Sequence, residues 1–451
     1  MRETPGSKSH PREQLASAAG ERTLRDAAPG GAPWLRHDPD SRLGNETPSA
    51  MTSEPYQAAM SNGTAQTTPA PAEAPEPGQH ALPDPAALRL RAVHRAAADL
   101  KRGTPVLLDG PAPLVLVPAE TVGARGLAEF AALAARDAVL LLAPVRAAAV
   151  LHRPVSQDVA AIALRLAPAL FDTAALRSLA DPTLPQLVGT VTEAAEAPAL
   201  AAAALGLAKL ARLLPAVLAA PVRPDAAEAA ARLGLLTVAA EEVLAYPAQA
   251  MATLTKVVET RVPLESAEDT RIVGFRAADM GIEHMAFLVG RPEDVAPGRP
   301  APLARIHSEC FTGDLLGSLR CDCGLQLRGA LRRMAEEGAG VLLYLAQEGR
   351  GIGLTNKLRA YALQDRGLDT LDANRALGWG ADERNFLVAA RMLEQLGIGR
   401  VRLLTNNPDK VAGLVATGIE VTAREKHAFA PNGVNDRYLA TKAERFGHLL
   451  G

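Results

Sequence analysis

Val341-Leu-Leu-Tyr344-Leu-Ala-Gln347-Glu-Gly-Arg-Gly-Ile-Gly353 is the stretch on which the reading of this chain turns. Val341–Tyr344 is an apolar run of strand type, and three glycines around Arg350 follow its end. Glycine reaches left-handed backbone conformations and lets a ligand approach closely. A strand ending in such a loop offers backbone N–H groups and a guanidinium fork to a phosphate. By itself the loop is equally well a plain turn, and it is not a Walker loop, since the Gly-Lys-Ser/Thr ending is absent. Just upstream, Leu327, Ala330, Leu331 and Met334 give Leu325–Glu337 an apolar helical face. Downstream, Asn385–Leu396 reads as a helix, Val401–Leu404 as a buried strand and Lys410–Ala416 as a helix. Further upstream, Lys256–Leu264, Thr270–Arg276 and Glu283–Val289 read as strands. No helix fits between them, so they pair antiparallel. Residues 255–451 thus read as a second unit.

Ahead of this lies a block of different character, residues 87–250. Ala87–Lys101, Leu127–Ala135, Ala199–Leu213 and Asp225–Leu233 read as helices. Thr104–Leu108, Leu114–Val117, Ala138–Leu142, Ala216–Ala220 and Leu235–Val238 read as strands. Strands interleaved with helices imply an α/β layer. Residues 1–86 hold 13 of the 34 prolines and no apolar period. Such a segment cannot bury enough surface to offset its chain entropy and is expected to be disordered. Met51 and Met60 lie within it, so an overextended start is the other explanation of its first fifty residues.

Composition narrows the class. The 451 residues carry 48 Lys+Arg against 50 Asp+Glu, a formal charge of -2. No large positive field is present to meet nucleic acid or an anionic membrane surface. The N-terminus lacks the apolar core of a secretory signal. The longest apolar stretches, near Ala138–Leu151 and Ala197–Val222, are broken by Arg146, Lys209, Arg212 and Pro215. Neither gives the roughly 18 uninterrupted apolar residues of a membrane span. A cytoplasmic protein is expected.

All three cysteines, Cys310, Cys321 and Cys323, fall in one short stretch. They are too few for a disulfide scaffold and point to a reducing compartment. Three thiolates favour zinc over magnesium or calcium. Three protein ligands and an open position suit catalysis, because a zinc ion lowers the pKa of its water towards ~7. A structural site completed by His307, or three small buried hydrophobes, remain open on spacing alone. Directly before Cys310, strand alternation sends Arg305, His307 and Glu309 to one side. Thr405-Asn406-Asn407-Pro408-Asp409-Lys410 follows a strand and opens a helix, a place where anions bind. Asp382 and Arg384 stand two residues apart at another helix entrance, where capping and dipole compensation explain them equally well.

Taken together, these stretches resemble GTP cyclohydrolase II, the first enzyme of riboflavin biosynthesis. The likeness runs from about Thr255 to Leu450. It lies in Arg305-Ile-His-Ser-Glu-Cys-Phe-Thr-Gly-Asp, Ser318-Leu-Arg-Cys-Asp-Cys-Gly, Gln347-Glu-Gly-Arg-Gly-Ile-Gly-Leu, Lys357-Leu-Arg-Ala-Tyr-Ala-Leu-Gln-Asp, Ala381-Asp-Glu-Arg and Leu403-Leu-Thr-Asn-Asn-Pro. Ala346 and Thr355 depart mildly from the family pattern. The resemblance implies conversion of GTP to formate, diphosphate and 2,5-diamino-6-ribosylamino-4(3H)-pyrimidinone 5′-phosphate. It implies one zinc per subunit on Cys310, Cys321 and Cys323, and Mg2+ with the triphosphate, which a carboxylate such as Glu348 would help to hold. Arg384 is the implied nucleophile at phosphorus and Asp382 its proton acceptor, with electrostatic stabilisation as a rival role for Arg384. Tyr361 is implied to assist the ring chemistry. Substrate contacts carry over to Arg305, Ile306, His307, Ser308, Glu309, Gln326, Glu348, Gly349, Arg350, Thr370, Thr405 and Lys410. The resemblance implies an α+β fold for residues 255–451 and a homodimer. A non-catalytic guanine-nucleotide-binding regulatory homologue is the alternative.

The block 87–250 resembles 3,4-dihydroxy-2-butanone 4-phosphate synthase in Arg102-Gly-Thr-Pro-Val-Leu-Leu, Leu207-Ala-Lys-Leu-Ala and Gly234-Leu-Leu-Thr-Val-Ala-Ala-Glu-Glu-Val-Leu-Ala-Tyr246. That family's acidic loop is replaced by Asp109-Gly-Pro-Ala-Pro-Leu, and its Gly-His-Thr-Glu motif by Ala199-Leu-Ala-Ala202. Without those carboxylates and that histidine, nothing is left to bind Mg2+ or to move protons on a sugar phosphate. The resemblance therefore implies a degenerate domain, a dimerisation or regulatory unit, rather than half of a bifunctional enzyme.

Overall fold

The computed structural model describes residues 84–449 apart from 137, 168–169, 188–192, 279–281 and 381. Nearly all of the tail expected to be disordered lies outside the described residues, as does Ala381. The first helix is Pro85–Lys101, two residues ahead of the expected start. Asp84 caps it by accepting from Ala86 N at 3.0 Å, and Pro85 fills the first turn, where a missing N–H loses nothing.

Two seven-stranded sheets follow. The first is built from β1 (Val106–Asp109), β2 (Leu114–Pro118), β3 (Val139–Leu142), β4 (Ile162–Arg165), β5 (Ala194–Ala195), β6 (Ala216–Pro221) and β7 (Leu236–Ala239), in the order β5-β4-β3-β6-β2-β1-β7. Only β1 with β7 runs parallel; the other pairings are antiparallel. The central strands are buried along nearly their whole length, which explains their unbroken Val/Leu/Ala composition.

The second sheet holds β8 (Thr255–Arg261), β9 (Thr270–Arg276), β10 (Glu283–Gly290), β11 (Leu303–Ser308), β12 (Ala339–Leu345), β13 (Arg400–Leu404) and β14 (Glu420–Glu425), in the order β14-β13-β11-β12-β10-β9-β8. The expected antiparallel pairing of the first three strands is present. Next to them, β12, β11, β13 and β14 run parallel. Ligands collect at the carboxyl ends of parallel strands. Here those ends lead into Glu309–Cys310, into the loop from Gln347 and into Thr405. Along β11, Ala304 and Ile306 face the core under the helix Leu387–Gln395, whereas Leu303 faces the helix Cys323–Glu337 with Leu342 of β12. Arg305 and His307 therefore point to the latter side, as strand alternation requires.

A further core crosses the chain's midpoint. Ile352, Ala360, Leu363, Ala373, Leu377 and Trp379 pack into the same cluster as Leu107, Val115, Leu140, Leu164 and Leu218. The helices Leu354–Asp365 and Thr370–Ala376 thus lay their apolar residues against the first sheet. Among the described residues, no helix is long and apolar enough to cross a membrane.

Candidate active site

The three cysteine sulfurs converge within 4.8 Å of one another. Two sulfurs each ~2.3 Å from a tetrahedral ion stand about 3.8 Å apart, and Cys310 Sγ lies 3.8 Å from Cys321 Sγ. The donor set therefore fits a metal ion of zinc's size. Cys310 follows β11, and Cys323 opens the helix Cys323–Glu337. The turn between them needs Gly313, where a Cβ would fall 2.7 Å from Cys321 Sγ and 2.9 Å from Cys310 Sγ. His307 does not close the tetrahedron. Its Nε2 lies 3.1 Å from the Asp314 carboxylate, and its ring stacks on Tyr344 at 5.6 Å. Asp314 also accepts from Cys310 N and Tyr344 Oη, each at 3.0 Å. Hydrogen bonds from Cys321 and Cys323 hold the Cys310 thiol far below its ordinary range, helped by Lys357, while bonding to Cys310 pushes Cys321 up to about 11.

Lys357 donates to Cys310 Sγ at 3.0 Å and to Glu348 Oε1 at 2.8 Å. Burial opposes its charge, but the Cys310 thiolate and Glu348 win, and its pKa is raised. Glu348 accepts further bonds from Phe311 N at 2.6 Å and Gly349 N at 2.8 Å. Both its oxygens are thus committed, and Glu348 anchors the cysteine turn instead of standing free for Mg2+. Glu309 is the neighbouring carboxylate without a recorded partner among the described residues. Burial raises its pKa first, and the charges of Glu348 and Asp314 add to this.

Buried cations line the same pocket as the sulfurs. Arg305 is buried, donating from Nη1 to Leu404 O at 2.8 Å and from Nη2 to Gln326 Oε1, while its Nε has no partner. Arg350 is one of three non-glycine residues with positive φ among the described residues, at φ 63° and ψ 33°. Its guanidinium lies 3.8 Å from the Phe446 ring centre, and its Nη1 is buried without a partner. Left-handed backbone disfavours a residue carrying a Cβ by roughly 1–2 kcal/mol, so Arg350 is held there by its surroundings. Lys410 donates to Ile306 O at 2.8 Å. Burial pushes Arg305 down to about 10, lowers Arg350 and depresses Lys410 strongly; the Arg384 charge adds to each. Buried cations that lack a counter-charge are poised for an anion.

Arg384 donates from Nε to Asp382 Oδ1 at 2.7 Å and from Nη2 to Oδ2. Burial works against ionised Asp382, but this two-pronged pairing prevails and lowers its pKa. The empty space of the pocket is about 1050 Å3, counting the open solvent at its mouth, which is ample for a nucleotide. Arg305, His307, Ser308, Glu309, Gln326, Glu348, Gly349, Arg350, Tyr361, Thr370, Arg384, Thr405, Lys410 and the three cysteines all line it. Two expected residues do not. Ile306 turns its side chain into the core and offers only its carbonyl, and Asp382 reaches the pocket through Arg384.

Sequence reasoning missed several lining residues. Lys357 stands in a quoted motif, yet its partners are remote in sequence. Tyr438, Lys442 and Phe446 stand at i, i+4 and i+8 of the helix Asp436–Phe446, which is one face. That spacing was the available signal. Lys442 donates to Asp322 Oδ1 at 2.8 Å, and Tyr438 and Lys442 line the pocket.

Fold and site define an enzyme whose pocket gathers buried cations beside three cysteines able to take a metal. Residues 255–426 match the family GTP cyclohydrolase II. A GTP cyclohydrolase-2 of Azospirillum brasilense is 47% identical over 372 residues, 80% of this chain and 94% of that protein. One of Actinobacillus succinogenes is 54% identical over 200 residues, 44% of this chain and 90% of that protein. A solved two-domain 3,4-dihydroxy-2-butanone 4-phosphate synthase from A. baumannii covers 74% of this chain and 98% of its own at 16% identity, with a TM-score of 0.29, too loose a match to bear an argument. The chain belongs to the GTP cyclohydrolase II family.

Proposed function

We infer that this enzyme hydrolyses GTP to 2,5-diamino-6-ribosylamino-4(3H)-pyrimidinone 5′-phosphate, formate and diphosphate, the first step of riboflavin biosynthesis. The observation that carries this reading is one pocket lined both by the buried cations Arg305, Arg350 and Lys410 and by three converging cysteines. A triphosphate supplies the missing counter-charge, and the purine end then lies towards the sulfurs.

Cys310, Cys321 and Cys323 would hold one zinc, which when bound activates water at neutral pH. Water adds at C8 and the imidazole C–N bond opens to a formamide. A second water releases formate. Tyr361, whose hydroxyl is 3.5 Å from Thr312 Oγ1, stays protonated because burial raises its pKa, so it donates to the opening ring. His307 is kept neutral chiefly by burial and is oriented by Asp314. Arg305, Arg350, Lys410 and Thr405 would bind phosphate oxygens, and Mg2+ would accompany them. A third water attacks the α-phosphorus as the bond to the bridging α–β oxygen breaks, leaving the 5′-monophosphate and releasing diphosphate. A guanidinium that gives two N–H groups to an ionised carboxylate is a poor nucleophile. We therefore assign Arg384 to stabilising the transferring phosphoryl group and Asp382 to aiming it.

A homodimer in the cytoplasm is proposed on the family's pattern, and the free cysteines suit that compartment. The near-neutral charge supports no nucleic-acid or membrane partner. Residues 87–250 are proposed to be a degenerate 3,4-dihydroxy-2-butanone 4-phosphate synthase domain. Asp109-Gly-Pro between β1 and β2 and Ala199–Ala202 at the helix Ala201–Leu210 support its lack of chemistry. The test is incubation of purified, metal-analysed protein with GTP. A product mass matching the diaminopyrimidine phosphate, with formate and diphosphate in equal amounts, is expected. A product that retains the formyl group, or none, contradicts the reading.

A further inference from the structure

The geometry points to a positioning role for the middle block in the cyclohydrolase reaction: Lys209 braces Glu383, the residue between Asp382 and Arg384, and so aims the phosphate-facing pair. This rests on the function proposed above and extends it to residues that the GTP cyclohydrolase II match at 255–426 does not include.

Lys209 sits in the last turn of the helix Ala201–Leu210, and its Nζ lies 2.6 Å from Glu383 Oε1. It also stands 5.6 Å from the Trp379 ring centre. The same Glu383 oxygen accepts from Gly380 N at 2.7 Å, which closes the turn that enters the Asp382–Arg384 segment. Glu383 N donates to Arg350 O at 3.1 Å. The fit there is close: a Cβ on Gly351 would fall 2.9 Å from Glu383 O. One side chain of the middle block therefore reaches a residue that touches the glycine loop and is bonded on either side to the paired groups.

The contact is not isolated. Arg212, left-handed at φ 58°, accepts at its carbonyl from Asn356 Nδ2 at 3.1 Å. Arg359 pairs with Glu120 at 2.9 Å and Asp181 at 2.7 Å. Asn356 and Arg359 belong to the helix that carries Lys357 and Tyr361. Neither Lys209 nor Glu383 lines the pocket, so both act through others. The Lys209–Glu383 pair is about one-third and one-quarter exposed. Such a pair adds little to stability, whereas small displacements of catalytic groups reduce turnover severely.

The full-length chain, assayed for formate and diphosphate from GTP, tests this. Lys209→Ala is expected to lower kcat by roughly tenfold or more, with KM for GTP and the melting midpoint little changed. Lys209→Arg should restore most of the loss, and Lys209→Ala should add nothing in a Glu383→Gln background. Unchanged kcat in Lys209→Ala, or Lys209→Arg as poor as Lys209→Ala, overturns the brace while wild-type turnover leaves the cyclohydrolase reading standing. Absence of wild-type turnover overturns both.

Discussion

At Gly313 the site has no room for even one methyl group, because an added Cβ would lie well inside van der Waals contact of both the Cys310 and Cys321 sulfurs. Gly313→Ala is predicted to lose bound zinc, seen as a metal content well below one per chain by elemental analysis, while Gly317→Ala, with open space around it, should keep it. Lys410 lines the same pocket. Burial and the charges of Arg384 and Arg305 disfavour its ammonium form, and a bound anion would offset them. Lys410→Ala should raise KM for GTP about tenfold to a hundredfold, the range of a lost charge-assisted hydrogen bond, and the melting midpoint of the ligand-free protein should not fall. The cysteines and the Arg305–Glu309 run were legible because their spacing is local. Lys357 and Lys442 were not, since a lysine becomes part of a site only when a distant element brings it a thiolate or a carboxylate.

On β10, His284 accepts from Ala346 N at 3.1 Å and so holds the end of β12, where the glycine loop begins. Burial, with the Arg212 charge, lowers its pKa from the ordinary 6.5 to about 4. Between those values the unfolded chain binds the proton and the folded one does not. The stability from neutral His284 is therefore complete above pH 6.5 and is lost as pH falls through 4. The slope is about 1.4 kcal/mol per pH unit, so about 2 kcal/mol should disappear between pH 6.5 and 5. His427, also lowered to about 4 by burial and then by Arg305, adds to the same window. Urea unfolding at both pH values checks this, and His284→Gln should flatten the dependence. At this scale the strands of the second sheet were readable from their apolar runs. The helices Leu354–Asp365 and Thr370–Ala376 were not, because their few apolar residues are matched to a sheet more than a hundred residues away in the chain. Strand direction in the first sheet was also hidden, since helices between strands do not by themselves fix parallel pairing.

The first sheet shares a core with the helices Leu354–Asp365 and Thr370–Ala376, and this governs what the middle block contributes to the whole molecule. Removing residues 84–250 would expose Ala360, Leu363, Ala373, Leu377 and Trp379 together. Burial of one large apolar side chain contributes about 1.5–3 kcal/mol. A chain beginning at 251 is therefore predicted to melt at a markedly lower temperature than the full-length protein, as circular dichroism would record. A domain proposed to have no chemistry of its own can thus be retained because the active-site helices rest on it. The three cysteines and the pocket of cations are proposed to form a single metal-dependent centre. Its most direct measurement is zinc content and formate release, side by side, in wild-type and Cys321→Ser protein supplied with GTP. One zinc per chain and full formate release in the wild type, with both lost in the variant while GTP still binds, is the predicted result. Formate release that continues in metal-free Cys321→Ser protein would contradict it.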